Sequence, residues 1–294
     1  MPTMTMHPAL ASDPTPAIAN LSYGPSPHQV LDVYLPPQGK GPFPVVVWYG
    51  GIWKALKTPP GAGDIDTLLS QNCALVVVET RTMEDATADG VAAPISYVML
   101  DARRAVQFVR LHAREYQLDP NRIATAGSSQ GSLPALYVAC AGEKADRHAR
   151  DPIERTSTRV TCIGVFRGQP SIDPKVMQEW VPGVEWGAPA LGCSFQESLQ
   201  RREQLLPIIN QWSPDALLPR NRKKTPPIYF YNNWGLTRPP DWSETEYLVH
   251  SPRWALGFQR LAKAHGVTCY VDFPGHPPAK YKSMWEFLVR ELNP

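Results

Sequence analysis

Short apolar runs rich in β-branched residues alternate with stretches of helical periodicity along most of this chain. Residues 30–35, 44–48, 74–80, 122–126, 160–166, 228–231 and 267–273 read as strands bounded by turn residues. Between them, residues 97–116 carry Val98, Ala102, Ala105 and Val109 at helical spacing, residues 132–140 are helix-like, and residues 252–265 and 284–292 read as further helices. The apolar stripes predict core-facing sides. Strand and helix in alternation predict an α/β fold, with a mainly parallel central sheet and helices on both faces. Prolines, 32 of 294 residues, concentrate in residues 1–44 and 207–240, which read as surface-crossing loops rather than elements of the sheet. Residues 168–212 break the alternation, with Trp180, Pro182, Trp186, Pro189 and several glycines around a weak helical pattern.

The candidate chemistry begins at Gly127-Ser128-Ser129-Gln130-Gly131, between a strand and a helix. A sharp strand-to-helix turn holds its central residue in a strained conformation, and glycines two before and two after it relieve the crowding. Ser129 would project alone from the sheet beside a helix N-terminus, a position suited to a nucleophile. Upstream, the strand at 44–48 runs into Tyr49-Gly50-Gly51-Ile52-Trp53, where a glycine pair leaves backbone amides bare. Acyl transfer needs such donors, because the carbonyl oxygen becomes an anion in the tetrahedral intermediate. The amides of Gly51, Ile52 and Gln130 are therefore the expected oxyanion hole.

These residues carry a resemblance. The chain resembles the lipase and esterase branch of the α/β-hydrolase superfamily, with an HGG-type oxyanion loop and a GxSxG elbow. Tyr49-Gly50-Gly51-Ile52-Trp53 matches the HGGxW form of the loop. Asp101-Ala102-Arg103-Arg104-Ala105-Val106 and Asp119-Pro120-Asn121-Arg122-Ile123 match the segment that precedes the elbow. The resemblance runs from about Leu31 to the C-terminus, and it implies that residues 168–212 form a partial cap within a single domain spanning 1–294. One departure is Tyr49, which stands where the family carries histidine, so loop bracing by an imidazole must be replaced by the phenol or lost.

The rest of the triad is expected later in the chain, in the order serine, acid, histidine. Of seven histidines, His276 follows the last predicted strand and precedes the last helix, where the family places its base; His250 is the runner-up, but it comes before that strand. For the acid, the resemblance implies a DxxV step after the penultimate strand, which Glu246-Tyr247-Leu248-Val249 fits. Asp241 is the expected residue type but sits in a proline-rich turn, and Glu244 is a further option. The expected set is Ser129, Glu246 and His276, in a carboxylic ester hydrolase acting through an acyl-enzyme on short or small acyl esters. A non-catalytic binding protein of the same fold and an amide or peptide hydrolase are the alternatives.

Composition narrows the remaining choices. The net charge is +2, and the one basic cluster, Asn221-Arg222-Lys223-Lys224, reads as a solvated loop, so no nucleic-acid partner is expected. Apolar runs are too short for membrane insertion, and residues 1–19 lack the pattern of a signal peptide, which gives the expectation of a cytoplasmic protein or one that has lost its leader. Five scattered cysteines read as reduced core thiols, and no metal or nucleotide motif is present, so neither metal nor cofactor is expected. Tryptophans near strand ends leave open a carbohydrate-linked ester beside a small-molecule one.

Overall fold

A computed structural model describes residues 14–53, 57–276 and 280–294. The expectation about a leader falls mostly on residues 1–13, outside the described ones. Eight strands form one sheet: β1 (Ile18–Ser22), β2 (Val30–Tyr34), β3 (Phe43–Tyr49), β4 (Ala74–Val78), β5 (Leu118–Ser128), β6 (Ile163–Phe166), β7 (Ile228–Tyr231) and β8 (Cys269–Asp272). Their order is β1-β2-β4-β3-β5-β6-β7-β8; β1 and β2 are antiparallel, as are β2 and β4, and every later pairing is parallel. The fold class read from the sequence is the one observed.

Every residue of β3 and β4 is buried, which is why they read as continuous apolar runs: both faces are covered. Val45, Val47, Val76 and Val78 face one core, with helices α3 (Ile95–Leu111) and α4 (Ser132–Cys140). Val46, Trp48, Leu75 and Val77 face the other, beneath α1 (Ala62–Ser70) and α11 (Met284–Leu292). The expectation missed β1 because this edge strand is half-exposed, carries no alternation, and is broken by a register shift at Asn20, whose φ is 55°. Also unforeseen is the short α2 (Met83–Ala88), set by a capping box between Thr82 and Asp85.

The insertion is more helical than its composition suggested, holding α5 (Pro174–Trp180), α6 (Phe195–Gln200) and α7 (Arg202–Trp212). The proline-rich stretch after it also departs from the loop reading. It includes α8 (Pro214–Asn221), with Pro214 in the first turn, where no N–H is needed, and Pro219 inside the helix; Pro207 likewise lies inside α7. Burial of Leu205, Ile209, Leu217 and Leu218 offsets the hydrogen bonds those prolines remove. Two helices follow β7: the short α9 (Glu244–Val249) and α10 (Arg253–Ala264). All five cysteines are free, and among the described residues no helix is long and apolar enough to cross a membrane.

Candidate active site

The sheet brings the nucleophile candidate and the glycine loop together. Strands β3 and β5 are neighbours, with Tyr49 in register with Gly127, so both chains leave the sheet at the same edge. After Ser128 the backbone makes a single 3-10 turn, Ser129–Gly131, and enters α4; Ser129 takes φ 48°, the strained left-handed conformation. The flanking glycines are required by contact. A Cβ on Gly127 would lie 2.2 Å from the Gly131 carbonyl oxygen, and one on Gly131 would lie 1.9 Å from that of Tyr49.

Ser129 Oγ lies 2.9 Å from His250 Nε2. The other ring nitrogen, Nδ1, is 3.0 Å from the backbone carbonyl oxygen of Glu246. A carbonyl oxygen only accepts, so Nδ1 carries the proton of the neutral ring and Nε2 is left as an acceptor for the serine hydroxyl. His250 is the residue just past α9, and its position is fixed through that helix. Ser243 and Glu246 form a capping box at the start. At the end, Trp254 Nε1 donates to the Leu248 carbonyl at 3.0 Å, Gln169 Nε2 to that of Val249 at 2.7 Å, and Asn232 Nδ2 to that of His250 at 2.7 Å. The imidazole stands edge-on to Trp234 and Trp242, and the Arg167 guanidinium lies over the Trp234 face at 4.1 Å from its centroid. Burial lowers the His250 pKa, the Glu246 carbonyl works against that, and the Arg167 charge lowers it further.

Tyr49 resolves the departure in the glycine loop. Its buried hydroxyl donates to the Ala102 carbonyl on α3 at 2.7 Å, tying the end of β3 down. Burial raises its pKa far above the usual phenol range, so the group stays a neutral donor. Beyond it, the Ile52 carbonyl accepts from the Met83 amide at 3.1 Å, and the Ile52 amide donates to Gln130 Oε1 at 3.2 Å.

The sequence profile of the family described as BD-FAE matches residues 31–168. A probable isoprenylcysteine alpha-carbonyl methylesterase, ICMEL1 of Arabidopsis thaliana, is 31% identical over 38% of this chain and 22% of its own. A probable isoprenylcysteine alpha-carbonyl methylesterase, ICME of Oryza sativa subsp. japonica, is 31% identical over 51% of this chain and 34% of its own. The chain thus spans between a fifth and about a third of the length of these curated relatives. Among solved structures, a truncated form of a carbohydrate esterase from gut microbiota superposes with a TM-score of 0.70 at 18% identity, covering 96% of this chain and 98% of that one. Thermogutta terrifontis esterase 2 phosphonylated by sarin superposes with a TM-score of 0.58 at 16% identity, covering 95% and 93%. The chain has the α/β-hydrolase fold.

The contacts of two residues assigned to the site from the sequence differ from those expected. His276 follows β8 as expected, but its backbone amide is tied to the Phe273 carbonyl at 2.9 Å, its ring packs on Phe273, and its buried Nδ1 has no partner among the described residues. The histidine on Ser129 is His250, because the helix placed between β7 and β8 carries it over the sheet edge. Glu246 also differs from expectation. Its carboxylate is exposed and accepts from the Ser243 hydroxyl at 2.7 Å, which holds its pKa below the usual range, so it reaches His250 through its main chain alone. Among the described residues no carboxylate, Asp241 and Glu244 included, hydrogen-bonds His250.

Sequence reasoning had no signal for Arg167 or Asn232 and placed Trp234 only among the tryptophans near strand ends; all three meet His250 only in three dimensions. Glu246→Gln is expected to change kcat by no more than about threefold, since an amide also caps a helix. An orienting carboxylate turned to its amide would instead lose on the order of ten-thousand-fold. Steady-state kinetics on a nitrophenyl ester distinguishes the two, and a loss of that size would restore the carboxylate to the triad.

A cavity of about 380 Å³ opens beside Ser129 and Gln130. Aromatic side chains form part of its walls, with Trp48 tilted against Trp285 and Phe166 stacked on Tyr231; among the described residues Asp64 is the one carboxylate on the lining. No lining residue comes from 168–212. That segment reaches the neighbourhood through Trp186, which stands edge-on to Trp53 and to Trp254.

Proposed function

We propose that this α/β-hydrolase cleaves small carboxylic esters through an acyl-enzyme, and the observation that carries the reading is the 2.9 Å contact between Ser129 Oγ and His250 Nε2. Ser129 Oγ attacks the ester carbonyl while His250 Nε2 takes its proton, forming a tetrahedral intermediate whose oxyanion receives the amides of Gly51, Ile52 and Gln130. His250 returns the proton to the leaving alcohol. Water then adds to the acyl-Ser129 by the same route, giving the acid and free serine. The Glu246 carbonyl holds the tautomer in which Nε2 is the acceptor, the part a carboxylate plays in a triad.

A cavity of about 380 Å³ suits a short or compact group, and its tryptophan walls suit a flat apolar face or a sugar ring. The carbohydrate esterase among the structural neighbours agrees with a carbohydrate-linked ester. Residues 168–212 act in this reading as a partial cap that braces the glycine loop through Trp186, within one domain. A fluorophosphonate probe should label the protein at Ser129, located by peptide mass spectrometry. Absence of labelling, or labelling elsewhere, overturns the reading.

The pH profile follows from the surroundings of His250. Only neutral imidazole accepts the serine proton, so kcat/KM rises with pH and levels off once His250 is deprotonated. Burial and the Arg167 charge lower that pKa, so the midpoint is expected below the ordinary histidine value of about 6.5. Arg167→Met removes the neighbouring charge and should move the midpoint upward. A wild-type midpoint above the ordinary value, or a downward shift in the variant, contradicts this assignment.

A further inference from the structure

Among the described residues, the Ile52 amide is the one of the three oxyanion donors that gives its hydrogen to a side chain, that of Gln130, the residue next to the nucleophile. Gln130 Oε1 belongs to a carboxamide, a neutral carbonyl acceptor of the same kind as an ester carbonyl. Ile52 is 1% exposed, so its amide needs an acceptor supplied by the protein when no substrate is bound. We infer that the Gln130 side chain is a built-in occupant of the oxyanion hole, which the substrate carbonyl must displace before Ser129 attacks; the inference rests on the esterase reading above.

The contact is not needed to hold the loop. The Ile52 carbonyl is fixed by Met83, Tyr49 by Ala102, and Trp53 by Trp186, all independent of Gln130. Gln130 also lines the cavity, so its side chain has room to swing away from the amide. Its backbone is fixed by the elbow, which keeps the competing oxygen within reach at all times. The side chain and the substrate therefore compete for one hydrogen atom, and removing the side-chain acceptor should make the hole more receptive without moving it.

An aryl trifluoromethyl ketone tests this. Ser129 Oγ bonds to the ketone carbon, the hydroxyl proton passes to His250, and the carbonyl π electrons move to the oxygen, producing the oxyanion that the amides bind. Gln130→Met keeps the length of the side chain and lacks the acceptor. The expected result is roughly three- to tenfold tighter ketone binding and a matching rise in kcat/KM, the effect of removing one competing neutral hydrogen bond. If Gln130→Met melts at a lower temperature than wild type, Gln130→Ala supplies the measurement instead. Unchanged or weaker ketone binding, or a fall in kcat/KM, overturns the inference and makes Gln130 a brace. Failure of the esterase reading looks different: the wild-type protein would not bind the ketone, or would bind it as tightly after Ser129→Ala.

Discussion

Ser129→Ala is expected to lower kcat by on the order of a million-fold while leaving the fold intact, as loss of the nucleophile does in serine hydrolases. The hydroxyl makes one described contact, with His250, and packs into neither core, so nothing structural is removed. The alanine keeps a Cβ at φ 48°, and the strain of the turn is unchanged. Circular dichroism melting of the variant should match the wild type, and burst kinetics with a nitrophenyl ester should vanish. Ser128→Ala is the control, since Ser128 ends β5 outside the strained turn, and it should keep substantial activity. More than a few per cent of activity in Ser129→Ala would exclude Ser129 as the attacking group.

His250→Ala should cost a comparable amount, on the order of 10⁵- to 10⁶-fold in kcat, because a serine without its base is a poor nucleophile at neutral pH. His276→Ala is expected to stay within about fivefold of wild type, the range of a partly buried side chain that touches none of the reacting atoms. The pair is decisive because the two histidines lie on opposite sides of β8 in sequence. Loss of activity in His276→Ala with a working His250→Ala would reverse the assignment and restore the order read from the sequence.

The sheet was legible because its central strands are buried on both faces, and such strands must be continuous apolar runs. The elbow was legible for a related reason: Gly127 and Gly131 are dictated by contacts within one short turn, so the motif carries its own cause. The base was not. Its placement depends on α9, six residues long, which no periodicity can announce. A local sign of that helix was present in Ser243 followed three residues later by Glu246, the pattern of a capping box. Read as a cap, Glu246 has its carboxylate committed to Ser243, and a residue four further on lies over its carbonyl. Read as an acid step, the same glutamate points to His276. The two readings differ in what the side chain bonds, and sequence spacing alone does not choose between them.

The contact between Gly131 and the Tyr49 carbonyl has a consequence for altering this protein. Because the space between them admits no Cβ, the turn that carries the serine and the strand end that leads into the glycine loop behave as one mechanical part. Any substitution that lifts the elbow by a fraction of an ångström lifts the glycine loop with it, and Tyr49 passes the movement to α3 through Ala102. Libraries that randomise the two segments separately would therefore return mostly inactive variants. Joint randomisation of residues 49–52 with 130–131 is the search in which a reshaped site can still align its donors with its nucleophile.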